Sequence, residues 1–256
     1  MPAEFPEPEI ARVVAEAVGH APSAGDTAPW WFSTTATEFC VRADFERQLP
    51  VRDLLISCGA AAFTARVALR YLGREPRTQV LPAPDLVAQL DFAGQGRPAT
   101  EFERALYDQV SLRRGFHGDF AHWRLPAGLM SSLEQDAARE GARLTVLADD
   151  NQRAVLLAVL DAANRVTRSA PASTGWGGAE PGTNGIIAAL TTAADERADW
   201  VAAGQALQRV LLTAATHGVP VAMHSSPVEF ASLREFLRTE LAGGDYPQLV
   251  LRFGSG

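Results

Sequence analysis

The chain contains no lysine: all 23 basic residues among its 256 are arginine. That absence removes a P-loop, a Schiff-base nucleophile and a pyridoxal-phosphate anchor together. An exclusive use of arginine reads as genome composition rather than chemistry. Cysteine is scarce too. Cys40 and Cys58 have neither C-x-x-C nor histidine spacing and fall on an expected strand and an expected helix, so they read as buried thiols rather than a redox pair or metal ligands. No continuous run approaches the roughly 18 apolar residues of a membrane span. Met1 to Glu9 is acidic and proline-containing, with no basic segment leading into an apolar core. It does not read as a secretory signal, and the expected location is cytoplasmic. Positive charge is also short: 30 acidic residues leave a net charge of −7, which argues against a nucleic-acid partner. There is no Ser-His-Asp spacing, no G-x-S-x-G, no paired-carboxylate signature and no metal-ligand cluster. His20, His122 and His217 are scattered singly and read as core or surface residues.

What is present is a regular alternation of helical and strand periodicity. The pattern predicts helix 7–18, strands 31–35 and 38–43, helix 53–72 closed by Gly73, and a short strand 77–81, with Leu86 to Phe92 following it. A Gly/Pro connector at 94–98 leads to helices 101–110 and 126–140, strand 143–148 and helix 150–167. After a Gly/Ser/Pro stretch at 169–185 come strand 185–191, helix 199–217, strand 219–223, helix 229–241 and strand 247–253. Two helices echo each other. Cys58, Ala62, Ala65 and Leu69 repeat at helical spacing in one, and Ala203, Leu207, Val210 and Ala214 in the other. Both end in glycine before a short strand, a pattern open to internal duplication or coincidence.

Between the first helix and the first strand runs Ala21-Pro22-Ser23-Ala24-Gly25-Asp26-Thr27-Ala28-Pro29, followed by Trp30-Trp31-Phe32. Little side-chain bulk stands between this backbone and a flat ligand; an ordinary helix-to-strand connection has the same composition. The adjacent Arg113 and Arg114 follow an amphipathic helix. Neighbouring side chains face different ways, so one is placed to reach an anion and the other to brace the fold, unless both lie on a solvated face. Met223-His224-Ser225-Ser226 precedes Pro227, where the imidazole and hydroxyls suit a ligand and Ser225 or Ser226 equally suits a helix cap. Gly175-Trp176-Gly177-Gly178 reads either as a mobile flap whose indole covers a pocket or as a surface loop.

The Pro22–Trp31 loop resembles the A-P-S-x-x-N-x-Q-P-W loop of nitroreductase-like flavoproteins. Ile56-Ser57-Cys58-Gly59-Ala60-Ala61, Arg113-Arg114-Gly115-Phe116-His117, Ala203-Gly204-Gln205-Ala206-Leu207-Gln208-Arg209 and Tyr246-Pro247-Gln248-Leu249-Val250-Leu251-Arg252-Phe253 resemble, in order, signatures of its Acg-type branch. The resemblance implies an α+β fold with three α/β/α layers and two half-repeats, 1–98 and 99–256, fused as an intramolecular pseudo-dimer with one FMN between them. It implies FMN contacts from Pro22, Ser23, Asp26, Arg113, Arg114, His117, His224 and Ser225, with Trp30 and Trp176 near the substrate or lid. The flavin carries the chemistry, so no catalytic side chain is expected. The implied activity is an FMN-dependent oxidoreductase with NAD(P)H as candidate donor and a small organic substrate; the alternatives are an FMN-storage protein and an α/β protein whose flavin site has decayed. The assembly is expected to be a monomer by internal pseudo-dimer, or a homodimer. Three positions depart from the family: Asp26 replaces an asparagine and can only accept hydrogen bonds, Ala28 replaces a glutamine, and His117 replaces an arginine.

Overall fold

The computed structural model describes residues 7–116, 120, 125–167, 176, 185–224 and 226–254. Helix α1 (Glu7–Val18) buries Ile10, Val14, Ala17 and Val18 along one stripe. Strands β1 (Trp30–Thr34) and β2 (Glu38–Ala43) form a hairpin, and helix α2 (Val51–Tyr71) then leads to β3 (Arg77–Val80) and β4 (Leu86–Asp91). Helices α3 (Glu101–Leu112) and α4 (Leu129–Arg139) precede β5 (Arg143–Val146), α5 (Asp150–Thr167) and β6 (Ile186–Thr192). The chain continues through α6 (Arg197–Thr216), β7 (Val221–His224), α7 (Ser226–Glu229), α8 (Ala231–Glu240) and β8 (Tyr246–Phe253).

The strands form two antiparallel sheets with orders β1-β2-β4-β3 and β5-β6-β8-β7. The order is the same in both, and each carries its long helix between the second and third strands. Each sheet is also irregular at one equivalent place, Val41/Arg42 in one and Leu190/Thr191 in the other.

The two long helices cross with their backbones in contact. A Cβ on Gly204 would lie 1.9 Å from the Ile56 carbonyl oxygen, and one on Gly59 would lie 2.2 Å from that of Val201. No other residue fits either position. Across the same seam the Gln208 side-chain amide donates to Thr64 Oγ1 at 3.0 Å. By length and composition α2 could cross a membrane, yet 83% of its apolar window is buried inside the protein. Its apolarity is that of a core helix dense in alanine, which a search for long greasy runs passes over.

One apolar cluster takes residues from both sheets and both long helices, from Ile10 to Phe253. The first sheet sends Phe39, Val41 and Ala43 into it and leaves Glu38, Cys40 and Arg42 on the other face, a half-buried alternation. The second sheet is covered twice. Leu249, Leu251 and Phe253 join the main cluster, whereas Val250 and Ile187 meet Leu156, Val228 and Leu237 from α5, α7 and α8 in a second one. The α/β/α layering therefore holds at the second sheet; among the described residues the first has helices on one face.

Three expected boundaries move for local reasons. Gly128 has φ 77°, so α4 starts at Leu129 rather than 126. Pro220 has no N–H to give a ladder, and β7 starts after it. Phe230 is extended at φ −87°, ψ 121°, so the expected helix 229–241 starts at Ala231 as α8, with the short α7 before it.

Buried and part-buried polar side chains tie α2 to β8 and to α3. Arg52 on α2 donates from Nε to Gln248 Oε1 at 2.9 Å and to Asp53 at 2.8 Å, and its third nitrogen donates to the Gln248 carbonyl. Gln248 in turn donates to Thr192 and Asp195. At the other end of α2, Arg70 pairs with Glu103 at 3.0 Å, and Glu103 also completes the Thr100 capping box that opens α3.

Gly204→Ala is expected to prevent folding or to cost more than about 3 kcal/mol. Gly218→Ala, at φ 67° with nothing within 4 Å of the new methyl, should cost only about 1 kcal/mol. Urea denaturation compares them; equal losses would mean that the crossing tolerates a methyl group. A second expectation concerns acid. Burial pushes the Glu103 carboxyl up, but hydrogen bonds from Arg97, Arg70 and Thr100 outweigh it and hold the group well below the usual carboxylate range. Its stabilisation is full above the unfolded value of about 4.3 and fades as pH falls through the folded one. Glu103→Gln should thus be less stable than the parent at pH 7, with the gap closing below about pH 4; a gap that does not change with pH would refute this.

Candidate functional site

The loop after α1 is anchored from below and open above. Pro22, Ser23, Ala24 and Pro29 are buried, whereas Gly25, Asp26 and Ala28 are exposed. The Ala28 N–H donates to Ser23 Oγ at 3.0 Å, and the Ala24 N–H donates to Ser57 Oγ on α2 at 3.1 Å. The Cys58 thiol donates to the Pro29 carbonyl at 3.6 Å, and burial, then Asp44, raises its pKa, so it is an inert buried thiol. These anchors hold an unusual backbone. Gly25, Asp26 and Ala28 have φ values of 58°, 53° and 43°. Glycine takes that conformation freely, but the aspartate and the alanine each cost about 1 kcal/mol.

The two arginines diverge as soon as α3 ends. Arg114 is exposed and turns back, donating to the carbonyls of Ser111 and Arg113 and so capping the helix. Arg113 is half-buried. Its Nε is sealed from solvent without a hydrogen-bond partner, and it forms no ion pair among the described residues. Burial and then Arg114 push its pKa down, while the negative charge of Asp26 acts in the opposite direction. A cavity of about 280 Å³ lies between this arginine segment, with Phe116, and Leu211, Ala215 and Val219 at the end of α6.

His224 closes β7, 8% exposed, opposite Val250. Two positions beyond Val250 on β8 lies Arg252, also buried, with its guanidinium 4.7 Å from the centre of the Phe120 ring. Phe120 stacks on Phe116 at 4.3 Å, so the closing strand reaches the arginine segment through two rings. Arg252 did not stand out in the sequence; the signal was a cation inside the apolar run Leu249–Phe253.

Trp30 is half-buried at the start of β1 and leans on the main cluster. Trp176 corrects an expectation: its ring is 2% exposed and belongs to that cluster, so it packs as core rather than hanging over an open mouth. The exposed indole is that of Trp31, with Arg42 5.2 Å from its centre. His117 and Ser225 lie outside the described residues. No group of metal-binding side chains occurs among the described residues.

Two Mycobacterium tuberculosis proteins, from strains CDC 1551 and H37Rv, each named "Putative NAD(P)H nitroreductase", are 29% identical to this chain over 99% of its length and 87% of theirs. The similarity runs nearly the whole length of this chain. No protein-family model matches it. A Bacteroides fragilis nitroreductase solved with bound FMN overlaps 59% of this chain and 87% of its own, at TM-score 0.45 and 10% identity. One from Desulfitobacterium hafniense, also solved with bound FMN, overlaps 59% and 89%, at TM-score 0.42 and 18% identity.

The contrast between two inward-facing arginines is measurable in the protein without added ligand. Arg52→Met should cost about 3–5 kcal/mol, because it strands Asp53 and the Gln248 acceptors. Arg113→Met should instead stabilise, by about 1 kcal/mol, because it removes a partly desolvated charge whose Nε has no acceptor among the described residues. Thermal or urea unfolding decides; destabilisation by Arg113→Met comparable to that of Arg52→Met would show that Arg113 is structural.

Proposed function

We propose that this chain is an FMN-dependent oxidoreductase of the nitroreductase type, with NAD(P)H as donor and a small electron-poor organic acceptor. The observation that carries the reading is the Arg113 guanidinium, whose Nε is sealed from solvent without a hydrogen-bond partner and which forms no ion pair among the described residues. Keeping such a group inward is costly unless an anion meets it. A phosphate monoester offers two oxygens to one planar fork. The names of the two full-length relatives support the same class.

The residues present fit this cofactor. Arg113 would hold the phosphate end, with Arg252 as a second buried cation on the closing strand. Ser23 accepts from Ala28, and its proton remains available to a ligand acceptor. Pro22 fixes the loop's entry, while His224, Ser225 and His117 would meet polar edges. When bound, the flavin supplies hydride transfer at N5. Asp26 brings a carboxylate where only acceptance is possible, and a nearby negative charge opposes adding another to the ring. That carboxylate favours a second reading, an FMN-storage protein of Acg type that does not turn over. The matching strand orders of the two sheets support reading 1–98 and 99–256 as half-repeats that share one ligand.

The visible spectrum of the purified protein, with and without added FMN, is the first test. Flavin bands that bleach anaerobically with NADPH or NADH and return with a nitroaromatic are the expected result. Bands that neither nicotinamide bleaches would leave the storage reading, and a colourless protein that takes up no FMN would end both.

A further inference from the structure

A second cavity, of about 510 Å³, opens where α2, α3, α4 and α6 meet. It lies at the start of α3, whereas Arg113 follows its end; the 12 residues of that helix separate the two by about 18 Å. Its floor is apolar, made by Phe63, Val67 and Leu106, with the ring of Phe102 42% exposed at the rim. Its walls carry guanidinium groups arranged around two carboxylates.

Glu140 takes Arg66 on one oxygen and Arg209 on the other. Glu103 takes Arg70 at 3.0 Å and Arg97 at 2.8 Å. Each trio has two cations and one anion, a net charge of +1. Arg66 and Arg209 also lie 4.8 and 5.9 Å from the centre of the Phe63 ring. A fifth arginine, Arg139, gives one hydrogen bond to Asp136 at 2.9 Å and leaves 58% of its side chain exposed. Even with Glu75 and Asp136 counted, five arginines oppose four carboxylates here, in a chain whose overall charge is −7.

We propose that this cleft binds a small organic oxyanion carried on a flat apolar body, an aromatic carboxylate or an aromatic phosphate monoester. Each guanidinium has five N–H donors, and Arg139 spends one on a described acceptor. The shared carboxylates already hold Arg66, Arg70, Arg97 and Arg209 in place, so little side-chain entropy is lost when an anion arrives. The ligand's ring would cover Phe63 and Phe102, and its oxyanion would sit at the rim near Arg97 and Arg139. The site is separate from the proposed flavin cavity and does not depend on it.

Calorimetric titration of the full chain at low ionic strength with benzoate, 5′-AMP, inorganic phosphate and acetate tests this. Benzoate or 5′-AMP should saturate with Kd below about 1 mM, and inorganic phosphate and acetate should bind more weakly because they have no ring. Binding by benzoate alone would identify the carboxylate source, and binding by 5′-AMP alone the phosphate source. Arg97→Gln combined with Arg139→Gln should weaken binding about tenfold or more, and Phe102→Ala should weaken the two aromatic ligands only. Arg113→Met should leave all of these affinities unchanged. The proposal is overturned if neither aromatic anion saturates by about 10 mM, if the double variant binds like the parent, or if Arg113→Met abolishes binding.

Discussion

The backbones of α2 and α6 touch, and the rest of the molecule is arranged around that contact. Gly59 and Gly204 bring each helix onto the carbonyls of the other. Residues beside this seam reach outward to the candidate site. Ser57 and Cys58, just before Gly59, hold Ala24 and Pro29 of the strained loop. Leu211, two turns beyond Gly204, walls the cavity beside Arg113. The distance between the loop from one end of the sequence and the arginine from the middle is therefore set by how closely two helices cross. The same crossing merges the apolar faces of both sheets into one cluster.

Charge is treated in two opposite ways within this core. Around Arg52, every inward-pointing cation meets a carboxylate, an amide or a carbonyl, and the cluster ties α2 to β8 across most of the sequence. Around Arg113 there is no such closure among the described residues. An isolated buried charge is among the costlier features a fold can retain, and Arg114, its neighbour, shows that the local chain has an easy way to satisfy a guanidinium at the helix end. The segment thus contains one arginine used for structure and one left over. The second cleft follows a third pattern, in which carboxylates are shared between pairs of arginines and positive charge remains in excess.

Much of the fold was legible because the sequence is locally consistent. The expected strand 38–43 coincides with β2, and helical spacing marked the two long helices. The echo between those helices is matched by the common strand order of the two sheets. Missed details depend on single backbone states, such as Phe230 turning extended between α7 and α8, or on a partner remote in sequence. Trp176 is an example of the latter. Its glycine-rich neighbours suggest an exposed flap, but an indole buries a large apolar surface, and the main cluster takes it. Arg252 is the reverse, hidden in an apolar run because its relation to Phe120 exists only after folding.

Strain at the loop bears on how far the site is prepared before any ligand arrives. Asp26 and Ala28 both adopt the left-handed conformation where glycine would be free. A loop selected only to connect α1 to β1 would relax these residues, since their exposed side chains bury nothing that offsets the cost. It cannot relax while Ser23, Ser57 and the Pro29 carbonyl keep their bonds, because those fix both ends. The middle is held as well, by Asp26 N–H donating to the Ser23 carbonyl and Thr27 N–H to that of Ala24, so what the strained loop presents at the surface is a fixed backbone with little side-chain bulk over Gly25 and Ala28. A desolvated cation and a strained loop are each unfavourable alone. Both lie on a scaffold held by a crossing that admits no side chain, so the fold supplies enough rigidity to keep them in place.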